Sequence, residues 1–409
     1  MQSKKYLYRF YLFLAIIVMT FIVYNIYVQR INNKFPECIY VNSRSDAVIE
    51  MGLPVTGYIE SDTENIIDFN NKVTIKAGEP GRYNIKLKLF DLIEINDLEI
   101  NVVDESYVYP GGFQVGLYLK SNGVIVVNTE TVTTANGNRI NPCEERIYKG
   151  DYIISMNGKN ITSKKEISEI MKNNNGEEIT FSIIRNNQEM EVKVTPAFDS
   201  SGVYRIGLWI KDDAQGIGTI SYIKDDGTFA ALGHGITDNA TGQIMNISKG
   251  ALYKTRILSV VKGKNGEPGE LQGVIEYKNE NIIGTIEDNN SHGIFGQINR
   301  KLIDEYALEN MEVGYGHSVK KEKAYIRLYT DKEYTDYEIN IITLSNGSSK
   351  NICFEVTSDE LIEKTNGIVQ GMSGCPIIQN NKMIGVVTHV CIDDCKRGYG
   401  IYVEKMLAQ

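Results

Sequence analysis

Residues 10–28 form an almost wholly apolar run that follows Lys4, Lys5 and Arg9. At a helical rise of about 1.5 Å per residue, this run is close to the roughly 30 Å thickness of a bilayer's hydrocarbon core. A cleaved signal peptide has similar basic flanks, but its apolar region is usually shorter and ends in small residues, which residues 24–28 do not provide. We therefore expect an uncleaved N-terminal transmembrane helix within residues 1–34. Since basic residues precede the span, the N terminus should be cytoplasmic and the chain from about residue 29 onward extracytoplasmic.

The length and composition of the chain predict several folded domains. A chain of 409 residues is too long for one ordinary core and should divide into two or three domains. Apolar residues make up 42% and charged residues 23%, while proline occurs 8 times, a balance typical of folded, β-rich protein. The formal net charge is -9 and no long basic run occurs, so no nucleic acid partner is expected.

The cysteines are spread without the spacing of a disulfide scaffold. There are six: Cys38, Cys143, Cys353, Cys375, Cys391 and Cys395. The last two lie near His389, but a metal site would need a fourth ligand and a second pair at suitable spacing, which the sequence does not offer. We therefore expect free or singly bridged thiols, and neither a metal nor a cofactor.

Residues 35–105 are predicted to form a small β-rich domain. Short alternating apolar and polar runs occur at residues 73–76, 83–90 and 98–103, separated by turn signals. Period-two alternation with such breaks indicates strands. Since no reactive set of side chains occurs here, a spacer or docking role is the expected one.

Residues 106–198 contain predicted strands and one helix in a distinctive order. A glycine-rich segment precedes a predicted strand, and residues 149–158 form another strand that ends in an Asn-Gly turn signal. Ser163 and Glu166 are spaced as a capping box, and a helical pattern follows them. A predicted hairpin at 179–194 completes the block. This order of elements resembles that of a bacterial PDZ domain of the kind found beside serine peptidases.

Peptide binding by this domain is expected at Gly112, Phe113, Gln114 and Val115. A glycine-rich loop can leave backbone N–H groups free to hold a peptide carboxylate, while the adjoining strand accepts the peptide as an added strand. The partner would be the peptide tail of another protein. As an alternative, these glycines only shape a tight turn.

Residues 199–409 are dominated by glycine-punctuated strands, with one short helical pattern at 359–365. The sequence Gly-Met-Ser-Gly-Cys-Pro at 371–376 places a serine between close glycines. Such a backbone can turn sharply, present the hydroxyl and point N–H groups inward as an oxyanion hole. Ser373 is therefore the predicted nucleophile, with the amides of Gly371 and Ser373 as oxyanion donors. A plain glycine turn before a strand is the alternative.

A serine hydroxyl needs a positioned base, and the chain contains four histidines. His234 lies in the sequence Gly-His-Gly-Ile-Thr-Asp at 233–238, where the flanking glycines indicate a special backbone position. His389 ends the strand after the serine and is the rival, whereas His292 and His317 lack surroundings that favour a catalytic role. We assign His234 as general base and His389 a supporting or packing role. A histidine well before the serine agrees with the chymotrypsin-like order.

At these residues the chain resembles the stage IV sporulation protein B family of serine peptidases, over nearly its whole length. The resemblance is carried by Gly-His-Gly-Ile-Thr-Asp at 233–238, Gly-Ile-Val-Gln-Gly-Met-Ser-Gly at 367–374, Thr-His-Val at 388–390 and Gly-Tyr-Gly at 398–400. It implies a mainly β protein with a transmembrane helix, a small β domain, a PDZ domain and a chymotrypsin-like double β-barrel peptidase domain.

The same resemblance implies a role in sporulation. The family member is secreted from the forespore into the space between the forespore and mother-cell membranes. There it cleaves a membrane-bound regulator of an intramembrane processing complex, so that a late sigma-factor precursor is processed.

The chain departs from the family pattern at two positions. The family usually has serine where this chain has Cys375, and a small side chain there is tolerable. The family also has an aspartate at the position of Ser358, which Asp359 follows here. Since a triad acid must hold the imidazole in one tautomer, Asp359 is the first choice of acid and Asp238 the second. As an alternative, either carboxylate only caps a turn.

These features together predict a membrane-anchored, extracytoplasmic serine endopeptidase that acts on a protein substrate. A second class stays open: a membrane-tethered scaffold whose PDZ domain binds a partner tail while the peptidase domain is inactive, which the changed acid position favours. A metal-dependent peptidase would need an H-E-x-x-H sequence, which the chain lacks.

Overall fold

The structure is a computed structural model that describes residues 2–32, 38–43, 47–50, 55–59, 66–67, 72–75, 79–89, 93–94, 97–239, 241–330, 333–345 and 350–409. Its first element is the helix α1, Gln2–Asn32. Within this helix, Arg9–Gln29 has a mean hydropathy of 2.2 and is not buried against the rest of the protein. By length and composition, α1 is apolar enough to cross a membrane.

The region predicted at 35–105 is β-rich where the structure describes it. Its strands are β1 Cys38–Asn42, β2 Ala47–Glu50, β3 Val55–Ile59, β4 Ile66–Ile67, β5 Lys72–Ile75, β6 Gly81–Leu89, β7 Ile93–Glu94 and β8 Leu98–Val103. One sheet has the order β1-β8-β6-β3-β4 with β7 beside β6, and β2 pairs with β5. Residues 76 and 90, which end two of the predicted strands, lie outside the described residues.

The rest of the chain consists mostly of strands. They are β9 Tyr107–Pro110, β10 Gln114–Thr129, β11 Val132–Thr133, β12 Arg139–Ile140, β13 Tyr152–Met156, β14 Lys159–Asn160, β15 Ile179–Arg185, β16 Gln188–Val194, β17 Ala197–Phe198, β18 Tyr204–Arg205, β19 Leu208–Ile223, β20 Thr228–Ala231, β21 Ile247–Val261, β22 Glu270–Ile275, β23 Ile282–Asn290, β24 Gly293–Ile298, β25 Met311–Val313, β26 Lys323–Thr330, β27 Glu333–Leu344, β28 Ile352–Val356, β29 Pro376–Gln379, β30 Lys382–Val390 and β31 Arg397–Tyr402. The helices are α2 Lys164–Lys172, α3 Lys301–Glu305, α4 Asp359–Thr365 and α5 Val403–Leu407, with short 3-10 helices at Asn279–Asn281 and Gly316–Ser318.

Two sets of six strands close into barrels. The first barrel runs β10, β19, β20, β24, β23, β21 and back to β10. The second barrel runs β26, β27, β28, β31, β30, β29 and back to β26. Alternate residues of each strand point into a barrel's core, as Val115, Leu117 and Leu119 do in the first barrel. The predicted mainly β fold with a double barrel is confirmed.

A further strand ties the barrels to each other. β9 pairs with β19 of the first barrel and with β25, and β25 pairs with β30 of the second barrel. The side chains of Val108, Tyr222, Val313 and Val386 share one buried apolar cluster around these strands. The two barrels therefore pack through a core and not only through a linker.

The PDZ domain is built from β13 to β16, α2 and the outer ends of β10 and β19. Its helix begins at Ser163, whose hydroxyl accepts from the Glu166 amide in a capping box, as predicted. The predicted hairpin is also confirmed, because β15 pairs with β16 through a turn at Asn186 and Asn187, both with positive φ. Ile167 of α2 packs into the apolar core of the domain.

The strands β10 and β19 run without a break from the first barrel into the PDZ domain. Residues 114–120 pair with 213–219 in the barrel, and residues 125–129 pair with 208–211 in the PDZ domain. The PDZ domain is therefore an insertion between the first two strands of the first barrel. The predicted domains, 106–198 and 199–409, therefore assign residues 114–120 to the PDZ domain, although these residues form part of a strand of the first barrel.

Inside the PDZ domain, the carboxylate of Asp151 is 1% exposed and accepts two hydrogen bonds from Arg185, at 2.8 and 2.6 Å, and one from the Tyr148 amide. We expect Asp151→Ala to lower the domain's free energy of unfolding by about 3 kcal/mol, because removing one partner of a buried ion pair leaves the other charge uncompensated. Urea titration followed by the fluorescence of Trp209, the only tryptophan, measures this change.

The matched control is Glu178→Ala, which removes the exposed ion pair between Glu178 and Lys193 on the same domain. Its cost should stay below about 1 kcal/mol, since exposed pairs contribute little. Equal unfolding midpoints for the two variants would contradict the structural role of Asp151.

Candidate active site

Ser373 lies in a tight loop between α4 and β29, as the glycines around it predict. Gly371 and Gly374 have φ of 97 and 103°, a region that side chains disfavour. A Cβ on Gly374 would lie 2.0 Å from the carbonyl oxygen of Thr219, so only glycine fits there. The loop is therefore pressed against the first barrel, with the Ser373 side chain partly exposed.

The amides of Gly371 and Ser373, the predicted oxyanion donors, have no hydrogen-bond acceptor within the described chain. Their neighbours do: the Met372 amide donates to the Val369 carbonyl, and the Gly374 amide donates to the Val387 carbonyl. Unpaired N–H groups beside a reactive hydroxyl are what an oxyanion hole requires. The geometry of the loop therefore suits the predicted role.

Thr219 of β19 holds this loop and was not singled out from the sequence. It is fully buried; its hydroxyl donates to the Gly371 carbonyl at 2.7 Å and its amide donates to the Ser373 carbonyl at 3.1 Å. Both bonds cross from the first barrel to the second. A lone threonine in a strand carries no sequence signal of such a role, because the contact is made only in the folded protein.

His234 follows the end of β20 on a sharply turned backbone. The two residues before it, Leu232 and Gly233, both have a φ of 71°. Positive φ is unusual for leucine and persists where the surroundings impose it. A Cβ on Gly233 would lie 2.9 Å from the Thr388 side chain, so the histidine approaches the second barrel closely.

The ring of His234 has one defined hydrogen bond. Its Nδ1 lies 2.9 Å from the carbonyl oxygen of Gly235, which can only accept, so Nδ1 carries the proton. The other nitrogen, Nε2, is then the basic one. Burial lowers the pKa of His234, and the Gly235 carbonyl offsets part of this effect. The ring is therefore neutral near pH 7 and able to accept a proton.

Ser373 and the two candidate histidines converge on Thr388. The Ser373 hydroxyl donates to the Thr388 carbonyl at 2.8 Å. His389 follows directly in β30, and its ring centroid lies 4.9 Å from that of His234. The pKa of His389 is lowered mainly by partial burial, and further by the nearby His234 ring and by the charge of Lys350. The structure thus brings Ser373, His234 and His389 to one place at the seam of the barrels.

Neither candidate acid contacts the His234 ring in the described chain. Asp359 is exposed in the first turn of α4, and the Nδ1 that it would serve is bonded to Gly235. Asp238 is 3% exposed, but its carboxylate accepts from the Thr241 amide and pairs with Lys211 at 3.5 Å. The structure therefore corrects the prediction that Asp359 is the triad acid. The Gly235 carbonyl accepts the hydrogen bond from Nδ1 that a carboxylate would accept.

The position of the family aspartate has a structural role here. Ser358 is the N-cap of α4, and its hydroxyl accepts from the Leu361 amide at 3.3 Å. Aspartate caps helices as well as serine does, so either residue at this position can begin the helix. Cys375, the other departure, is fully buried, and burial raises the pKa of its thiol to about 12. It therefore packs as a small neutral side chain.

The predicted peptide-binding loop at Gly112, Phe113, Gln114 and Val115 lies in the first barrel and not in the PDZ groove. The Gly112 amide, which was expected to be free, donates to the Ile220 carbonyl at 2.8 Å. Val115 is flanked by β19 on one side and β21 on the other, so no strand edge is open there. Phe113 is buried and stacks on Tyr306.

The groove of the PDZ domain lies elsewhere, between α2 and the start of β19. It has a volume of about 610 Å³ and an apolar floor from Ile167, Met171, Leu208 and Ile210. Residues 208–211 pair with β10 on one side and face α2 on the other. The sequence signal that could have located it is Arg-Ile-Gly-Leu at 205–208, a glycine between apolar residues at the start of a strand.

A double barrel with serine and histidine at its seam and an inserted PDZ domain defines a PDZ-bearing serine peptidase of chymotrypsin-like fold. The chain belongs to the family described as SpoIVB peptidase S55, whose model matches residues 202–407. A PDZ domain model matches residues 97–195. The resemblance found in the sequence is thus confirmed.

Two known proteins show more limited similarity. A putative zinc metalloprotease of Helicobacter pylori is 31% identical over 163 residues, which cover 34% of this chain and 46% of that protein, so the chain spans about half the length of this relative. A crystal structure of Rv3671c from M. tuberculosis H37Rv, an inactive serine-to-alanine mutant, matches with a TM-score of 0.22 and 12% identity over 47% of this chain and 79% of that chain.

The burial of the His234 ring predicts the direction in which its pKa is shifted. In the folded protein the pKa of His234 should lie below the ordinary 6.5, because burial disfavours the charged ring. NMR titration of the histidine ring protons measures this value, with His234→Gln used to assign the signal. The urea-unfolded protein provides the reference, and a folded-state pKa at or above 6.5 would contradict the described environment.

Proposed function

We propose that this protein is a membrane-anchored, extracytoplasmic serine endopeptidase with Ser373 as nucleophile and His234 as general base. The observation that carries the proposal is the convergence of Ser373 and His234 on Thr388, beside the Gly371 and Ser373 amides, which have no acceptor among the described residues. These are the parts that acyl transfer needs: a nucleophile, a base and an oxyanion site.

The reaction begins when the Ser373 hydroxyl leaves the Thr388 carbonyl by rotation of its side chain. As its oxygen attacks the substrate carbonyl carbon, His234 Nε2 accepts the hydroxyl proton. The Gly371 and Ser373 amides stabilise the oxyanion. The imidazolium then protonates the leaving amine, and water hydrolyses the acyl-enzyme by the same steps in reverse order.

The histidine works in this scheme without a carboxylate partner. The Gly235 carbonyl accepts from Nδ1 and so fixes the tautomer in which Nε2 is the base. A carbonyl carries only a partial negative charge, so it stabilises the imidazolium less than an aspartate would. We expect proton transfer by His234 to be correspondingly modest.

The PDZ groove is the proposed docking site for a peptide tail of a protein partner. An extended peptide would add beside residues 208–211 and place apolar side chains against Ile167 and Met171. This groove replaces residues 112–115, where Val115 is paired with a strand on each side. Docking there would hold a protein substrate beside strands that continue into the first barrel, which carries His234.

The cellular role rests on family membership and on α1. With α1 as anchor, the barrels and the PDZ domain would lie outside the cytoplasm, in the space between forespore and mother-cell membranes. The proposed substrate is a membrane-bound regulator of an intramembrane processing complex, whose cleavage allows a late sigma-factor precursor to be processed in sporulation. Membership of the SpoIVB peptidase S55 family supports this assignment.

A serine-reactive fluorophosphonate probe tests the proposed chemistry on the full-length protein in detergent. The wild type should be labelled, and Ser373→Ala should not be, because the probe captures only an activated serine hydroxyl. His234→Ala should stay folded and lose nearly all labelling. Absence of labelling in the folded wild type would favour the inactive scaffold, and wild-type labelling of His234→Ala would transfer the base role to His389.

The docking proposal is tested by Met171→Glu, which places a charge on the apolar floor of the groove. We expect affinity for a fluorescein-labelled peptide with an apolar C-terminal tail to fall about tenfold or more, because the charge would lose its water on binding. Hydrolysis of a short peptide substrate should be unchanged. Lys165→Ala, on the exposed side of α2, is the matched control, and equal affinities for the two variants would contradict this groove.

A further inference from the structure

The hairpin formed by β23 and β24 contains a buried asparagine whose side-chain oxygen and nitrogen are both hydrogen-bonded. Asn289 is 8% exposed, and its Oδ1 accepts from the Ile236 amide at 2.8 Å. Its Nδ2 donates to the Ile236 carbonyl at 3.0 Å and to the Met245 carbonyl at 2.8 Å. If the side-chain oxygen and nitrogen were exchanged, the nitrogen would face the Ile236 N–H and the oxygen would face the two carbonyl oxygens. The partners therefore fix the orientation of the side chain.

The first of these bonds acts on the peptide group next to His234. The Ile236 N–H and the Gly235 carbonyl belong to one trans peptide unit, in which N–H and C=O point in opposite directions. His234 Nδ1 donates to the carbonyl end of this unit at 2.9 Å, and Asn289 accepts from its amide end. The result is a continuous chain of hydrogen bonds from Asn289 through the peptide to the imidazole.

The backbone around this peptide is held by the same hairpin. A Cβ on Gly235 would lie 2.4 Å from the Asn290 carbonyl oxygen, so the glycine packs directly on the hairpin. The Asn289 bond to Met245 ties the far end of the loop that starts at His234. The Gly235 carbonyl therefore has little freedom to turn away from the ring.

We propose that Asn289 is a positioning residue of the active site, which takes the place of a triad acid by acting on His234 through the peptide between Gly235 and Ile236. Accepting from the amide end of the peptide polarises its carbonyl, since hydrogen bonds in a chain strengthen one another. The polarised carbonyl holds the Nδ1 proton and stabilises the imidazolium that forms during proton transfer. The inference rests on the proposed function, because it assigns the partner of the proposed base.

An asparagine suits this position better than an aspartate. Two of the three groups that face the side chain are carbonyl oxygens, which need a donor, and only the Ile236 amide needs an acceptor. An ionised carboxylate would meet both carbonyls with like partial charge. The sequence therefore uses a neutral side chain that both fastens the loop and orients the peptide.

The test is Asn289→Ala in the full-length protein, read in two ways. By NMR of ¹⁵N-histidine-labelled protein, the Nδ1 proton of His234 should move upfield or be lost to exchange, because its acceptor is weaker and less fixed. In kinetics on a short peptide, kcat should fall about tenfold while KM stays the same, the change expected for one hydrogen bond lost from the transition state. The acid limb of the kcat/KM profile should move to lower pH.

Asn290→Ala is the matched control, since the Asn290 side chain donates to Asp288 and Gln409 and accepts from the His292 amide, and these bonds do not reach the loop of His234. It should leave the Nδ1 proton, kcat and the acid limb unchanged. A folded Asn289→Ala with the wild-type proton signal, kcat and pH profile overturns the proposal.

If Asn289→Ala does not fold, Asn289→Asp takes its place: losing the two donors to carbonyls lowers its stability, but it fills the same space and keeps the acceptor for the Ile236 amide. It should retain the Nδ1 proton signal and shift the acid limb to higher pH, since its charge favours the imidazolium; a wild-type acid limb would overturn the proposal. The NMR measurement needs no turnover. If the wild type is inactive but its Nδ1 signal still depends on Asn289, the proposed function is wrong. The contact of Asn289 with His234 through the Gly235–Ile236 peptide would then still be correct.

Discussion

The bonds from Thr219 to the carbonyls of Gly371 and Ser373 join the two barrels at the place where the reactive groups meet. Ser373, the proposed nucleophile, belongs to the second barrel, and His234, the proposed base, belongs to the first, so neither barrel alone holds both residues. Buried hydrogen bonds of this kind are costly to leave unmade, because a desolvated donor without a partner keeps its desolvation penalty. Correct docking of the barrels is therefore coupled to the shape of the serine loop.

The loop that follows His234 also reaches the PDZ domain. The buried carboxylate of Asp238 pairs with Lys211, the last residue of the strand segment beside the PDZ groove. Further along the loop, the Asn246 amide donates to the Tyr152 hydroxyl of the PDZ domain at 3.1 Å. The segment that carries the base is thus held on one side by Asn289 and on the other by the PDZ domain.

Much of the architecture could be predicted from local sequence patterns. Signals within a few neighbouring residues indicate the apolar helix α1, the capping box of α2, the hairpin of β15 and β16 and the serine loop. The peptide groove could not be located in this way, because two glycine-containing segments, at 111–117 and 205–208, resemble each other locally. Only the pairing of residues 115–120 with β21 as well as β19 shows that the first segment belongs to the barrel.

The surroundings of the histidine were predicted least well. A carboxylate near the motif was the natural candidate for an acid, yet the ring is served by a backbone carbonyl, which has no sequence signal. Asn289 lies in a polar stretch that suggests an exposed loop, and its burial depends on the packing of β23 against the His234 loop. Long-range contacts of this kind arise from topology, which a single sequence pattern does not encode.

The insertion of the PDZ domain bears on the order in which the chain folds. The first two strands of the barrel, β10 and β19, are separated by the whole inserted domain, and pairing strands across a long unfolded segment carries a large loss of chain entropy. Once the inserted domain has folded, its own ends bring the two strands together. We therefore expect folding of the PDZ domain to assist closure of the first barrel, so that damage to the PDZ core would lower the yield of folded peptidase.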